Sequence, residues 1–305
     1  MPTATTRVVK TLCVILLAAV PAAAQDMEPK AYSASPVGAT FLVASAVRST
    51  GSVVFDPTVP ITDVKAKINA AVIGVGTTFG LFGKLALFSA ALPYSWGDIS
   101  GQVAEEAASI SRSGLADTRM RLSVNLAGNP AMRIREFVKA PPKTIVGASL
   151  TVMAPSGQYN RTKLINLGNH RWAFKPEVGV SVPYRRWDFD AYLGAWLFTS
   201  NDDYYPGGLT REQDPVVALQ THVSYTFKPR LWLAVDSTWY SGGESQVGDD
   251  APRGGVNNSR LGATLSVPVG QRQSFKIAYS SGVAVRTGTD FRTIAVAWQW
   301  LWFKP

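Results

Sequence analysis

The sequence predicts an all-β protein, a single transmembrane antiparallel up-and-down β-barrel of about twelve strands, with long external loops and short periplasmic turns. Three observations predict it. Segments along the whole chain alternate apolar and polar residues with period two, as strands with a lipid side and a lumen side do. The connections between them alternate long and short. The last segment, Phe291 to Phe303, sets Ile294, Val296, Trp298, Trp300 and Trp302 on one face against Thr293, Ala295, Ala297, Gln299 and Leu301 on the other. Trp prefers the membrane interface, and lipid covers an apolar stripe that a soluble sheet would have to bury.

The bulk composition agrees. Of 305 residues, 46% are hydrophobic and only 17% charged, against roughly 25% charged in soluble domains. Arg7 and Lys10 precede an apolar run, Leu12 to Val20, which ends in Pro21-Ala22-Ala23-Ala24. This is the charged start, short apolar core and small-residue cleavage site of a secretory signal peptide, assigned to residues 1–24. Cys13 lies inside it, so the mature chain is expected to hold no thiol and no disulfide. Beyond it no apolar run reaches the length of a helical span. The expected location is the outer membrane of a Gram-negative bacterium. Formal charge is +9, and removing Arg7 and Lys10 with the signal leaves +7. No basic cluster interleaved with aromatics is present, which argues against nucleic acid.

Taken in order, residues 25–37 read as a short periplasmic N-terminal segment and residues 38–305 as the barrel. The first strand is expected at Gly38 to Val47, and residues 48–61, with Gly51, Pro57 and Pro60, read as a loop. Val64 to Phe79 and Lys84 to Leu92 follow across a tight Leu81-Phe82-Gly83 turn. Pro93 to Gly114, rich in Gly and Ser, reads as a long loop. The fourth strand, Ala116 to Leu126, turns Met120, Leu122 and Val124 one way and Asp117, Arg119 and Arg121 the other.

A connection over 128–143 follows, with a helical turn expected around Arg133 to Val138. The fifth strand is Thr144 to Met153, and Pro155 to Arg171 is an external loop. The sixth and seventh, Trp172 to Val182 and Trp187 to Phe198, turn Lys175, Glu177, Asp188 and Asp190 inward. Another loop covers 199–214. Val216 to Phe227 places Gln220, His222 and Ser224 inward, and Leu231 to Tyr240 does the same with Asp236. After a loop over 241–259 come Arg260 to Val269, Phe275 to Val285 and the closing strand, which must pair with the first to remove both sheet edges. The connection 128–143 is the one breach in the sorting of loops, being long where a short periplasmic turn is due.

Several blocks, in order, resemble a known family: Phe55-Asp56-Pro57, Thr78-Phe79-Gly80-Leu81-Phe82-Gly83-Lys84, Leu164-Ile165-Asn166-Leu167-Gly168, Trp172-Ala173-Phe174-Lys175-Pro176-Glu177, Arg211-Glu212-Gln213-Asp214-Pro215, Asn257-Asn258-Ser259-Arg260-Leu261-Gly262 and Arg286-Thr287-Gly288-Thr289-Asp290-Phe291. The chain is similar over nearly all its mature length to the bacterial family named for the MetA pathway of phenol degradation. That resemblance implies an outer-membrane barrel acting as a transporter. It names no solute and brings no catalytic residues.

The inward set is the candidate functional surface. Asp117, Arg119, Arg121, Lys175, Glu177, Asp188, Asp190, Gln220, His222, Asp236, Arg260 and Lys276 are expected to line the lumen and to be the candidate solute contacts. Opposed charges across a bore can orient a solute. They can equally pair with one another and plug it, and a twelve-stranded barrel is of a size at which either can occur. The expected partners are a small-molecule solute, possibly aromatic or hydrophobic, outer-membrane lipid and lipopolysaccharide, and the barrel-assembly machinery. Trp298, Trp300, Trp302 and Phe303 form the candidate assembly signal, although Lys304 and Pro305 follow the last aromatic. A closed structural or adhesive barrel is the alternative reading. A barrel phospholipase using His222 and Ser224 is a further one, weakened because the pair faces inward and only Asp236 is placed to orient the His. With two His and no mature Cys, no zinc or iron site is expected, and no phosphate loop or other cofactor motif is present.

Overall fold

The computed structural model describes residues 27–54, 61–103 and 106–303. The expected signal peptide, Cys13, Lys304 and Pro305 lie outside the described residues. Twelve strands close into one barrel: β1 (Ala39–Val54), β2 (Ile61–Leu81), β3 (Lys84–Val103), β5 (Thr118–Ala127), β6 (Ile145–Ala154), β7 (Ala173–Tyr184), β8 (Trp187–Phe198), β11 (Val216–Lys228), β12 (Leu231–Gly242), β14 (Val256–Val269), β15 (Gln273–Ala284) and β16 (Gly288–Phe303). Each pairs antiparallel with its chain neighbours, and β1 closes on β16 from Ala39↔Phe303 to Val54↔Gly288. Closure pairs the backbone N–H and C=O groups of the wall with one another, which is what a strand needs to cross lipid.

The faces follow the period-two pattern. Val178, Leu193, Val235 and Ile294 point outward and are each more than half exposed, whereas Glu177, Tyr192, Asp236 and Thr293 on the same strands are buried. An apolar wall with a polar interior inverts the soluble arrangement and requires lipid outside. Aromatics ring both ends of this wall. Tyr184, Trp187 and Trp300 stand exposed at the end with the short turns, and Trp172 and Trp239 at the opposite end. The turn Phe82-Gly83 holds both residues at positive φ, 49° and 76°. That is the geometry a two-residue hairpin demands, and it explains Gly at the second position.

Four sequence expectations are corrected. First, residues 93–114 are not a loop. β3 runs on to Val103 and pairs with β4 (Glu106–Leu115) in a hairpin that continues outward past the barrel rim. Its small residues hid an alternation of exposed Tyr94, Trp96 and Asp98 with inward Pro93, Ser95 and Gly97. Second, β1 passes Gly51 and continues to Val54. At Gly51 a Cβ would lie 2.0 Å from the carbonyl oxygen of Asp290, so the glycine permits close strand approach rather than ending the strand. Third, the outer loops hold β9 (Asn201–Tyr204), β10 (Leu209–Gln213) and β13 (Ser245–Val247), which form a small separate sheet.

That sheet packs Tyr204, Val247, Tyr205 and Leu209 together. It also buries two cations side by side. Arg171 lies 4.3 Å from the centroid of Phe198 and Arg211 5.5 Å from that of Tyr204, and both donate to Gln213 Oε1. Burial, with Arg211 close by, pulls the Arg171 guanidinium down to about 9.

The fourth correction bears most on function. The described part of the segment expected to lie as a periplasmic lead, residues 27–37, sits inside the barrel. Tyr32 is only 1% exposed. The long 128–144 connection, which holds the single helical turn α1 (Ile134–Phe137), contacts it at the periplasmic mouth. Val37 N–H donates to the Met132 carbonyl at 2.9 Å, and Asn129 Nδ2 to the Ser35 carbonyl at 3.3 Å. This connection is long because it fastens the segment where it enters the lumen.

Candidate functional site

The inner face is divided into two tiers, and β8 shows the division along its own length. From the periplasmic end its inward residues are Asp188, Asp190, Tyr192, Gly194 and Trp196. The first three hold the N-terminal segment, and the last lines an outer cavity.

The lower tier is a hydrogen-bonded plug. Tyr32 lies edge-on to Tyr192 with ring centroids 5.2 Å apart. Its hydroxyl is 3.1 Å from Glu177 Oε1 and 3.0 Å from Ser149 Oγ. Glu177 is the hub. Oε1 also accepts from Arg121 Nη2 at 3.1 Å, and Oε2 accepts from Lys175 Nζ at 2.9 Å and Gln220 Nε2 at 3.1 Å. Glu28 answers Arg121 Nη1 at 2.9 Å and Arg119 Nη2 at 3.3 Å. Lys30 pairs with Asp188, and its backbone N–H donates to Asp190 Oδ2 at 3.2 Å. Buried charges survive only when paired in this way. Seven of the twelve sequence-predicted lumen residues, Arg119, Arg121, Lys175, Glu177, Asp188, Asp190 and Gln220, are therefore held in this plug by one another or by residues 27–32.

Tyr32 is seated by glycine. Gly147 of β6 and Gly179 of β7 face each other in register. A Cβ on either would meet the Tyr32 ring, at 2.1 Å and 2.4 Å. Gly147→Val is expected to unseat Tyr32 and raise the ionic conductance of the purified barrel. Unchanged conductance in a normally folded variant would contradict the seat.

The remaining predicted residues fall into three places. His222 Nδ1 is 2.7 Å from Asp236 Oδ1, and Thr264 Oγ1 donates to Asp236 Oδ2 at 2.8 Å. His222 Nε2 and Ser224 Oγ each lack a hydrogen-bond partner among the described residues. The His–Asp pair is thus formed, but nucleophile and base are not joined, and both are fully buried within the lumen. This is a buried His–Asp pair with Ser224 left outside it, not an assembled hydrolytic triad. Lys276 Nζ stands 5.7 Å from the Trp232 ring centroid. Asp117 and Arg260 reach the upper tier, where Arg119 of the plug joins them.

That tier is a cavity of about 330 Å³ in the outer half of the lumen. Its walls are apolar for the most part: Val47, Ile68 and Val72, Ile99 and Ile110 from the outer hairpin, Met153, Trp196 and Phe291. Ile165 and Leu167 come from the external loop over 155–172. Asp117 holds that loop in place. Its Oδ1 accepts from Gly157 N–H at 3.0 Å, and its Oδ2 from the backbone and side-chain N–H of Asn169 at 2.8 and 2.9 Å. Asp117 therefore anchors the loop while also lining the cavity. Arg119 lines the cavity and pairs with Glu28, so cavity and plug meet at this side chain.

Trp196 and Phe291 were not among the residues singled out in the sequence. The signal was present, since each is a large apolar side chain at an inward position of its strand. Glu28, Lys30 and Tyr32 carried no periodic signal, because they lie in irregular chain. Trp298, Trp300 and Trp302 share the outward parity of β16, with the Trp300 and Trp302 rings 5.6 Å apart and Trp298 Nε1 donating to Gln273 Oε1 at 2.9 Å. Phe303 is exposed at the end of β16. Among the described residues no group of His, Cys, Asp and Glu is arranged to hold a metal ion.

Comparison with known proteins places this architecture. An outer membrane channel from Pseudomonas putida F1 superposes with a TM-score of 0.75 at 20% identity, over 91% of this chain and 100% of that one. The transport unit of the autotransporter AIDA-I from Escherichia coli superposes with a TM-score of 0.51 at 10% identity, over 88% of this chain and 90% of that one. At these identities the likeness is one of fold. No curated protein sequence matches the chain. A family model matches residues 47–299, nearly the whole barrel, and the chain belongs to the family described as "Putative MetA-pathway of phenol degradation".

Proposed function

We propose that this protein is an outer-membrane channel that takes small apolar solutes, aromatic ones included, into the outer cavity and passes them inward when the N-terminal segment leaves its seat. The observation that carries this reading is the apolar cavity itself, set inside a closed transmembrane barrel directly above a plug of the chain's own making. Its volume of about 330 Å³ lies at the small end of ligand pockets, roughly 300–1,000 Å³. The channel of like fold and the family's name support it. Outer-membrane lipid and lipopolysaccharide would cover the outer wall.

Binding tests the reading. Folded protein titrated calorimetrically with 4-methylphenol is expected to bind it saturably. Ala91 lines the cavity, and Ala91→Trp fills it, so this variant is expected to weaken binding by about tenfold. Absence of saturable binding to the folded wild type would overturn the solute site. The plug itself favours a second reading, a permanently closed structural or adhesive barrel. That reading predicts no solute binding and no conductance for the full-length chain.

A further inference from the structure

The cavity is apolar along most of its wall, yet its charge is one-sided. Three cations line it, Arg112, Arg119 and Arg260, against the single carboxylate of Asp117. Both Asp117 oxygens are already taken by three N–H donors. Arg119 is engaged by Glu28. Among the described residues Arg112 donates to main-chain oxygens, those of Ile165 at 3.1 Å and Ser111 at 2.9 Å.

Arg260 is the unusual member. It is 4% exposed, and among the described residues no carboxylate lies within salt-bridge distance of it. Its Nη2 donates to the Phe291 carbonyl at 2.8 Å and to Ser280 Oγ at 3.3 Å, and its Nε has no acceptor. A second cavity residue repeats the pattern. Trp196 is 2% exposed, and its indole N–H has no acceptor among the described residues. Both unanswered groups are donors. The hydrogen-bond partners of Arg260 are all neutral, the Asp290 carboxylate acting on it only from beyond ion-pair distance, and an anion arriving beside it relieves the remaining cost of its burial.

We infer that the cavity prefers amphiphiles bearing one anionic headgroup of carboxylate type, with the head received at Arg260 and the apolar body lying against Trp196, Phe291 and Met153. This rests on the cavity being the solute site. It adds a charge requirement that an apolar pocket alone would not impose.

The test compares near-isosteric ligands on the folded full-length protein in detergent, with 4-methylbenzoate as the anion and 4-methylbenzamide as the neutral partner. Wild type is expected to bind the carboxylate about tenfold or more tightly than the amide, as a charge-assisted hydrogen bond implies. High salt should narrow the gap. Arg260→Gln is expected to abolish the preference by lowering carboxylate affinity about tenfold or more, and Arg260→Lys to retain most of it. Equal affinities in wild type, or a preference untouched in Arg260→Gln, overturn the inference and leave the solute site standing. Failure of both ligands to bind wild type overturns the two together. The wild-type comparison decides even if the Gln variant does not fold.

Discussion

Glu177→Leu lowers the folding stability of the barrel by about 3–5 kcal/mol, the cost of stranding buried cations. The side chains of Glu177 and Lys175 are each only 3% exposed, and that of Arg121 10%. One carboxylate therefore answers two cations, an amide and a phenol at once. Removing it leaves Arg121 with Glu28 alone as its carboxylate partner and deprives Lys175 of its contact at 2.9 Å. The measurement is the urea midpoint of the folded, heat-modifiable band on a gel. Adding Lys175→Met to Glu177→Leu should recover a large part of the loss, because it removes a charge along with its partner. A loss under about 1 kcal/mol in the single variant would show that the hub does not hold the lumen together.

Deleting residues 25–36 leaves the wall intact and opens the bore. The barrel's closure depends on β1 pairing with β16 and β2, and that pairing begins at Ala39 and Thr40. The described part of the deleted stretch, residues 27–36, contacts the lumen wall and, at the periplasmic mouth, Asn129 and Thr78. Its loss strips Glu28 from Arg119 and Arg121 and Lys30 from Asp188, and water can enter to hydrate what remains. Cells making the shortened protein are expected to become sensitive to bulky polar antibiotics, with inhibitory concentrations falling by roughly fourfold or more. Equal sensitivity at equal amounts of folded protein in the membrane would mean that the segment does not limit passage.

Much of this architecture is legible in the sequence. Period-two alternation identified the twelve wall strands, because lipid enforces the pattern on every strand that crosses it. Lys175 and Glu177, two residues apart on one strand, had to share a face, and the same logic put His222 and Asp236 inside. Two kinds of feature were not legible. Strands that pass beyond the membrane, such as β4 and the outer part of β3, are released from the lipid constraint and carry Gly, Ser and Ala in place of a clear stripe. The plug is irregular chain whose position is fixed by partners more than a hundred residues away, such as Ser149 and Glu177 for Tyr32. Gly147 and Gly179, both inward on adjacent strands, were the one local trace of it. Glycine facing glycine leaves room that something must fill. The long 128–144 connection was noticed as an exception, and its cause became clear only with the segment it fastens.

Single-channel recording of the full-length protein beside the form lacking residues 25–36, in the same planar bilayer, tests the central claim most directly. A lumen closed at rest by residues 27–36 predicts small or rare openings for the full chain and steady steps roughly threefold larger or more for the shortened one. Identical conductance from the two folded proteins, or silence from both, would contradict it.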